Sequence, residues 1–236
     1  MTGLSGATVL VTGANGGLGR QFVAQALSAG AAKVYATART PIEWADDRIV
    51  GLPLDITDPA SVHAAAQAAD DVTILVNNAG ISPVNSSLLT SSEEELQHII
   101  ETNLLGQLRM IRAFAPVLVA SPGRAAVIDM HSALSWYGAA GSYSVTKAAF
   151  WAATNAVRLE LAPQGVQVVG VHVGWVDTPM AAGVTGPKAD PADVVAQAYA
   201  ALAEGAFEVL ADDVSRRLKA GLARPIDELY PQLRAG

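Results

Sequence analysis

Tyr143 and Lys147 are the two residues of this sequence whose types and spacing most directly suggest chemistry. They stand four positions apart, and on a helix that spacing places both side chains on one face, with Cβ atoms about 5–6 Å apart. A tyrosine has an ordinary pKa of about 10, which makes it a poor base near neutral pH. A cation at about 4 Å contributes roughly 4 kcal/mol at an effective dielectric constant near 20, enough to lower that pKa by about 3 units. The pair therefore predicts a tyrosine that donates or accepts a proton, although the same spacing is also common on solvated helix faces.

A glycine-rich turn near the N-terminus, TGANGGLG at 12–19, is a candidate phosphate-binding site. It follows the apolar run 7–13 and opens a helical stretch, which is the context that a dinucleotide-binding turn requires. Glycines permit the tight turn and let a pyrophosphate approach the N–H groups of the helix N-terminus. An ordinary glycine-rich connection between a strand and a helix is the alternative. The residues predicted to bind the cofactor here are Gly13, Asn15, Gly17, Leu18 and Gly19.

The end of the second predicted strand bears on which dinucleotide would bind. An acid usually stands there to bind the ribose hydroxyls, but this sequence has Ala38 and Arg39. The donor fork of an arginine pairs instead with a 2′-phosphate, which favours NADP over NAD. The turn offers no second cation before Gly17, because Gly16 stands there, so an NAD preference remains the alternative.

The elements that must position these residues follow from alternating β-rich and alanine-rich runs. Strands that are apolar on both faces, separated by helices, predict a parallel sheet covered on both sides. We therefore expect a doubly wound α/β fold, with residues 1–236 forming a single dinucleotide-binding and catalytic domain. The predicted strands are 7–13, 33–39, 48–56, 72–80, 123–132, 165–174 and 207–211. The predicted helices are 17–30, one from 58–59, one from 91–95 toward Phe114 that ends or kinks at Pro116, 142–163, 191–204, and a short one on the rim within 212–236.

Composition excludes several classes of function. The chain has 236 residues, 51% of them hydrophobic and 16% charged, which argues against disorder. A net charge of −7 argues against a nucleic-acid partner. There is no cysteine, and the histidines show no metal-ligand spacing, so we expect no metal site. No run of 18 apolar residues and no signal-peptide pattern are present, so we expect a cytoplasmic protein that does not enter a membrane.

Taken together, the motifs resemble the short-chain dehydrogenase/reductase family over nearly the whole chain. The resemblance implies a seven-stranded parallel Rossmann sheet in the order 3-2-1-4-5-6-7. It also implies an NAD(P)-dependent enzyme that interconverts a carbonyl and a secondary alcohol, with a small-molecule substrate. The motifs that carry it are TGANGGLG at 12–19, LDITD at 54–58, NNAG at 77–80, ETN at 101–103, the region of Ser132, and YSVTK at 143–147.

The resemblance assigns a role to each of four polar residues. Tyr143 matches the catalytic tyrosine, and Lys147 matches the lysine that lowers its pKa and binds the nicotinamide ribose. Ser132 matches the serine that orients the substrate carbonyl and stabilises oxyanion charge. Asn103 matches the asparagine that holds a water in a proton relay with the lysine. A non-catalytic nucleotide-sensing protein, which usually lacks one of these four residues, is the alternative from another class.

Further positions are assigned to the cofactor through the same resemblance. Asp55 matches the residue that contacts the adenine, with the backbone of Ile56 beside it. Thr178 matches the threonine that binds the nicotinamide carboxamide, and Val176 belongs to the same segment. Asn77, Ala79 and Gly80 match the motif that supports the central strand and lines the cofactor.

Two departures from the family pattern affect the site. Ten residues separate Ser132 from Tyr143, fewer than in many members, so Ser135 becomes a competing candidate for the serine role. The family often has Pro-Gly after the sixth strand, where this chain has Val173 and Gly174, and that loss is expected to loosen the nicotinamide end.

Several aromatic and apolar residues have non-catalytic interpretations. His131 adjoins Ser132, but neighbours on a strand point to opposite faces, so no Ser–His dyad is expected. We expect Trp136, Tyr137 and Trp175 to line a substrate pocket, with packing as an equal alternative for Trp175. The short loop 179–190 suggests an open pocket for a small or medium carbonyl compound. The helix that begins near Tyr143 is apolar on most of its circumference, which predicts burial against a second subunit in a homodimer or homotetramer.

Overall fold

The computed structural model describes residues 2–83 and 86–234. These residues form a seven-stranded parallel sheet in the order β3-β2-β1-β4-β5-β6-β7, so the predicted fold class and strand order are confirmed. The order reverses between β1 and β4, as in a doubly wound Rossmann fold. The strands are β1 (Thr8–Thr12), β2 (Lys33–Ala38), β3 (Ile49–Pro53), β4 (Ile74–Asn77), β5 (Ala126–Met130), β6 (Gln167–His172) and β7 (Glu208–Leu210).

The central strands are buried on both faces because helices cover both sides of the sheet. Every residue of β1, β4 and β5 is buried, which explains their nearly continuous apolar sequences. The register places Val9 beside Ile74 and Ile74 beside Ala126. The carboxyl ends of these strands therefore finish at one edge of the sheet, directly after the motifs identified in the sequence.

Four of the α-helices described, the second, third, sixth and seventh along the chain, begin at a residue whose side chain caps them. Asp58 and Asp190 each accept a hydrogen bond from the second residue of the helix that follows, and Ser92 forms a capping box with Glu95. The helices are α1 (Gly17–Ser28), α2 (Pro59–Ala68), α3 (Glu93–Ile100), α4 (Gly106–Val119), α5 (Gly141–Leu161), α6 (Pro191–Glu204), α7 (Asp213–Gly221) and α8 (Ile226–Leu229). The tail therefore forms two short helices where one was predicted.

Two apolar cores lie on opposite faces of the sheet. On one face, α1 and α6 pack together, and Phe22 contacts Tyr199 edge-on with ring centroids 5.4 Å apart. On the other face, α2, α4 and α5 bury Val62, Phe114 and Phe150 against the strands. No helix in the described ranges is long and apolar enough to cross a membrane.

The third predicted helix differs from the structure in two ways. It is divided into α3 and α4 by a π-helical turn, Glu101–Leu105, and α4 continues past Pro116 to Val119. A proline normally disrupts a helix because it lacks the N–H donor. Here it stands only three residues before the end of α4, and the last turn buries Leu118 completely in the core, which favours continuing the helix.

Candidate functional site

A cleft of about 780 Å³ opens at the carboxyl ends of the strands, where the strand order reverses. This is the place where ligands bind in open α/β sheets. The structure brings together residues that are far apart in the sequence, from the glycine turn to the loop after β6. The predicted site residues that line the cleft are Gly13, Asn15, Gly17, Leu18, Arg39, Asp55, Ile56, Ala79, Gly80, Ser132, Tyr143, Val176 and Thr178.

The glycine turn has a backbone that other residues would strain. Gly13 and Gly17 have positive φ values of 66° and 51°, in the region that side chains disfavour. A Cβ on Gly19 would stand 2.1 Å from the carbonyl oxygen of Gly13. Gly16 has no side chain to cap α1, and the Gly19 N–H donates a 3.0 Å hydrogen bond to the Gly16 carbonyl oxygen, so the N–H groups of Gly17 and Leu18 remain available to a ligand. The turn therefore offers N–H groups to an anion, and its role as a pyrophosphate site stays a prediction.

The turn is fixed from below by the motif that follows β4. The Thr12 hydroxyl accepts hydrogen bonds from the backbone N–H groups of Asn78 and Ala79, each over 2.9 Å. Asn78 Nδ2 donates to the carbonyl oxygen of Thr12 over 2.8 Å. Asn78 was not among the site residues predicted from the sequence, although it stands inside the NNAG motif and lines the cleft.

At the far end of the cleft, charges are arranged around Arg39. Its side chain is exposed and has no ion pair or hydrogen bond among residues 2–83 and 86–234. Asp55 Oδ1 accepts hydrogen bonds from the Thr57 hydroxyl at 2.7 Å and the Thr57 N–H at 2.9 Å. These bonds hold the pKa of Asp55 below its ordinary value, and the positive charges of Arg39 and His98 act in the same direction. The carboxylate is therefore ionised and fixed, while the Arg39 guanidinium is available to an anion.

Arg20, a second cation near this end, was not identified from the sequence. Its Nε donates a 2.7 Å hydrogen bond to the carbonyl oxygen of Asn15, and its guanidinium lies 5.8 Å from the Trp44 ring centroid. Asn15 Nδ2 in turn donates to the Thr40 carbonyl oxygen over 2.8 Å. These bonds connect the glycine turn to the end of β2, where Arg39 stands. No motif signals Arg20, since its position relative to Trp44 depends on the folded chain.

Ser132 and Tyr143 face the cleft from two different elements. Ser132 follows β5, and its hydroxyl oxygen accepts a 3.1 Å hydrogen bond from the Leu134 N–H. Its own proton can therefore be donated, and a hydrogen bond links this hydroxyl to the Tyr143 side chain. Tyr143 lies in the first turn of α5, where burial raises its pKa to about 12, and an interaction with the Ser132 hydroxyl acts in the opposite direction. The phenol is thus held protonated in the protein chain alone, which is the state required of a proton donor.

Lys147 lies beneath the tyrosine, just outside the cleft lining. Its Nζ donates a 2.9 Å hydrogen bond to the Met130 carbonyl oxygen and lies 5.8 Å from the Tyr143 ring centroid. Burial lowers the pKa of Lys147 to about 8, while the charge of Asp129 acts to raise it. The predicted pair therefore shares one helix face, with the cation below the ring and anchored to the end of β5.

Asn103 stands in the π-helical turn between α3 and α4. Its Oδ1 accepts from the Ile81 N–H, and its Nδ2 donates to the Ile81 carbonyl oxygen, each over 2.9 Å. A Cβ on Gly80 would stand 3.3 Å from Asn103 Oδ1 and 4.0 Å from Lys147 Nζ. The asparagine and the lysine therefore converge on the backbone of Gly80. π-Helical turns are frequent at functional sites, and this one aims Asn103 at the strand end.

Below the cleft lies a buried polar group that the sequence analysis missed. Asp129 is fully buried in β5; it accepts hydrogen bonds from Thr154 Oγ1 at 2.7 Å and Asn77 Nδ2 at 3.0 Å. Burial raises its pKa to about 6, against the effect of these two bonds. A lone acid within the apolar run AVIDM was the sequence feature that could have identified Asp129.

Four of the predicted site residues lie behind the cleft and do not line it: Gly19, Asn77, Asn103 and Lys147.

The connection between Ser132 and Tyr143 separates the two serine candidates. It forms two short 3-10 turns, Ala133–Ser135 and Gly138–Ala140. Ser132 lines the cleft, whereas Ser135 is buried away from it, and its hydroxyl has no partner among the residues that the structure describes. The geometry favours Ser132 for the serine role.

The aromatic residues of this region divide into packing and lining groups. A smaller cavity, of about 500 Å³, adjoins the cleft. Trp136 was expected to line the pocket, but it stacks on His172 with ring centroids 4.1 Å apart and lines neither the cleft nor this smaller cavity. The flat ring of His172 offers it a buried stacking surface inside the protein. Tyr137 and Trp175 line a cavity as predicted. Burial lowers the pKa of His131 well below its ordinary value, and its ring nitrogens have no partner in the described part of the chain, so it makes no dyad with Ser132.

Fold and site together define a dinucleotide-binding protein of the Rossmann class. The sequence matches the model of the short chain dehydrogenase family over residues 7–189. The chain belongs to the short-chain dehydrogenase/reductase family and is an NAD(P)-dependent oxidoreductase that acts on CH–OH and C=O groups.

Three relatives illustrate the similarity. The 3-oxoacyl-[acyl-carrier-protein] reductase FabG of Vibrio cholerae is 35% identical over 190 residues, which cover 75% of this chain and 76% of that protein. The crystal structure of a short chain dehydrogenase from Burkholderia cenocepacia in complex with NADP has a TM-score of 0.91 and 35% identity, with 98% of this chain and 99% of that chain covered. An NADPH-bound carbonyl reductase from chicken fatty liver has a TM-score of 0.79 and 27% identity, with 89% and 96% covered.

Proposed function

We propose that this protein is an NADP(H)-dependent oxidoreductase that interconverts a carbonyl and a secondary alcohol, with Tyr143 as the general acid and base. The observation that carries the proposal is the position of the Tyr143 phenol, which is half-buried and lines the cleft beside Ser132, with its pKa raised to about 12. A single domain performs both cofactor binding and catalysis in this proposal, because the glycine turn, Ser132 and Tyr143 line the same cleft.

The preference for NADP rests on Arg39. It stands at the end of β2, exposed and without an ion partner among the described residues, where an acid would bind ribose hydroxyls. A 2′-phosphate supplies the anion that a free guanidinium pairs with. The NADP complex of the relative from Burkholderia cenocepacia supports the same choice.

The cofactor would lie from the glycine turn and Asp55 to Val176 and Thr178, and when bound it supplies or accepts the hydride. During reduction, the Tyr143 hydroxyl gives its proton to the substrate oxygen, and the Ser132 hydroxyl donates a hydrogen bond to the same oxygen. The Lys147 ammonium stabilises the phenolate that remains. Asn103 and Lys147 converge at Gly80, so a proton can return to the tyrosine along that side.

The decisive experiment compares Tyr143→Phe with the wild type in NADPH oxidation across a panel of carbonyl compounds. We expect turnover to fall by at least about 10²-fold while the affinity for NADPH is kept, because only the proton donor is removed. Tyr35→Phe is the matched control: the hydroxyl of Tyr35 is bonded to Asp71 over 3.0 Å, and the residue does not line the cleft.

Each possible result of this comparison has a defined meaning. Full turnover in Tyr143→Phe with unchanged cofactor affinity would show that the proposed mechanism is wrong. NADPH binding by the wild type without oxidation by any carbonyl compound would instead indicate a nucleotide-binding protein without catalysis. A higher kcat/KM with NADH than with NADPH would contradict the cofactor assignment alone.

A further inference from the structure

A second cavity, of about 500 Å³, adjoins the cleft on the substrate side and is called the distal cavity below. The two spaces share four wall residues, so a ligand whose carbonyl lies at Tyr143 can extend from one into the other. The shared wall residues are Leu134, Ala140, Trp175 and Val214. The other residues that line the distal cavity are Tyr137, Ala139, Arg217, Leu218 and Leu229.

The C-terminal segment encloses the distal cavity. Tyr230, directly after α8, stacks on Tyr137 with ring centroids 4.8 Å apart and planes 10° from parallel. The Tyr230 hydroxyl accepts a 2.9 Å hydrogen bond from the Gly138 N–H. These contacts hold α8 against the connection that precedes Tyr143. The wall is therefore built by the fold and does not depend on the short loop 179–190.

One charged group faces this otherwise apolar space. Arg217 lines the distal cavity, is exposed, and has no ion pair or hydrogen bond among residues 2–83 and 86–234. The guanidinium of its neighbour Arg216 already has partners: it pairs with Asp213 over 2.8 Å and donates a hydrogen bond to the Leu210 carbonyl oxygen over 2.7 Å. Asp213 is thereby paired with Arg216, and the guanidinium of Arg217 remains available to a ligand.

We propose that the distal cavity binds the far end of the substrate, and that the substrate is an oxo acid with a flexible apolar chain between its carbonyl and its carboxylate. The chain lies against Leu134, Leu218 and Leu229, and the carboxylate pairs with Arg217. This inference rests on the proposed function and names the substrate class of the same site. A guanidinium is suited to a carboxylate because its parallel N–H groups match the two oxygens.

The first test compares methyl-ketone acids of increasing length, from 4-oxopentanoate to 9-oxodecanoate, with their methyl esters as NADPH-dependent substrates. We expect kcat/KM for the acids to rise about fourfold per buried methylene group until the carboxylate reaches Arg217. At that length the acid should exceed its ester by about tenfold, the factor for one charge-assisted hydrogen bond. Arg217→Gln should remove the preference for the acid and leave the ester unchanged.

The control variant is Arg224→Gln, which removes the same charge from an exposed arginine outside both cavities. It should keep the preference for the acid. Equal kcat/KM values for acids and esters at every length, or a preference that survives in Arg217→Gln, would overturn the inference.

A binding measurement separates this inference from the proposed function. Calorimetric titration with octanoate and octanamide requires no turnover, and we expect octanoate to bind about tenfold more tightly. Arg217→Gln should abolish that difference, and Arg217→Glu should favour octylammonium over octanoate. If no carbonyl compound is reduced but octanoate binding still depends on Arg217, the proposed function fails and the anion site stands. If octanoate binding is unchanged in Arg217→Gln, the anion site is wrong whatever the turnover.

Discussion

The backbone N–H of Gly174 donates a 2.7 Å hydrogen bond to Asp212 Oδ2, which joins the segment after β6 to the start of α7. Asp212 Oδ1 also accepts a 2.8 Å bond from the Ser215 N–H and caps that helix. The missing proline before Gly174 was expected to loosen this end of the cleft. The Asp212 carboxylate instead holds this segment to the start of α7 through the hydrogen bond from Gly174.

Asp212→Ala should therefore lower both stability and substrate affinity. Loss of the cap costs about 1 kcal/mol, and loss of the charged hydrogen bond to Gly174 costs about 1.5–3 kcal/mol more. Urea unfolding would measure the free energy, and the KM for the carbonyl substrate should rise. Asp58→Ala removes the cap of α2 alone and should cost only about 1 kcal/mol. Equal losses of the free energy of unfolding in the two variants would contradict a stabilising role for the hydrogen bond between Asp212 and Gly174.

Ser132→Ala and Ser135→Ala should separate the two serine candidates. The Ser132 hydroxyl lines the cleft beside Tyr143, so its loss should lower kcat by about 10²–10³-fold. The Ser135 hydroxyl is buried without a partner in the described residues, so its removal should leave kcat close to that of the wild type and should not lower stability. Steady-state kinetics decide the matter, and a larger kcat loss in Ser135→Ala would reverse the assignment.

Arg39→Ala should change the cofactor preference. Removal of a charge-assisted pair with the 2′-phosphate should raise the KM for NADPH by about 10- to 100-fold and leave the KM for NADH nearly unchanged. Arg112→Ala, at an exposed position outside the cleft, controls for net charge. Equal changes with both cofactors would count against the 2′-phosphate contact.

Asp129→Asn should alter how stability depends on pH. The pKa of Asp129 is raised from 3.8 to about 6, so the folded protein binds its proton more tightly than the unfolded chain does. The contribution of this tighter proton binding to the free energy of unfolding is fully present below pH 3.8 and is lost as pH rises through about 6. Relative to the variant, the wild type should therefore lose up to about 3 kcal/mol between those limits. Unfolding by denaturant at a series of pH values measures this, and a difference that grows in the opposite direction would contradict it.

The outer face of α5 should mediate self-association. Val145 and Leu159 are 48% and 79% exposed, and burial against a second copy would remove this apolar surface from water. Light scattering at micromolar protein should show a homo-oligomer, and Leu159→Glu should shift it toward the monomer. A wild-type protein that is monomeric at that concentration would refute the prediction of an oligomer.

The resemblance to the short-chain dehydrogenase/reductase family implied the strand order. Local patterns in the sequence were sufficient for the doubly wound α/β fold class, the glycine turn and the helical spacing of Tyr143 and Lys147. Each depends on backbone periodicity or on the special conformations of glycine, which neighbouring residues encode. Even so, the same rules predicted that a helix ends or kinks at Pro116, whereas α4 continues to Val119, because local rules could not include the burial of Leu118 by other elements.

Contacts between distant segments decided the rest. Ser132 and Ser135 were both candidates for the serine role. Only the two turns that follow β5 place Ser132 in the lining of the cleft and Ser135 outside it, although both residues are buried. The raised pKa of Asp129 and the availability of Arg217 likewise depend on what surrounds each charge. The sequence by itself determined the alternation of strands and helices and the placement of Tyr143 and Lys147 on one helix face, because both follow from short-range spacing. The tertiary structure alone determined which polar groups are desolvated, paired or free, because those properties arise from packing between segments far apart in the chain.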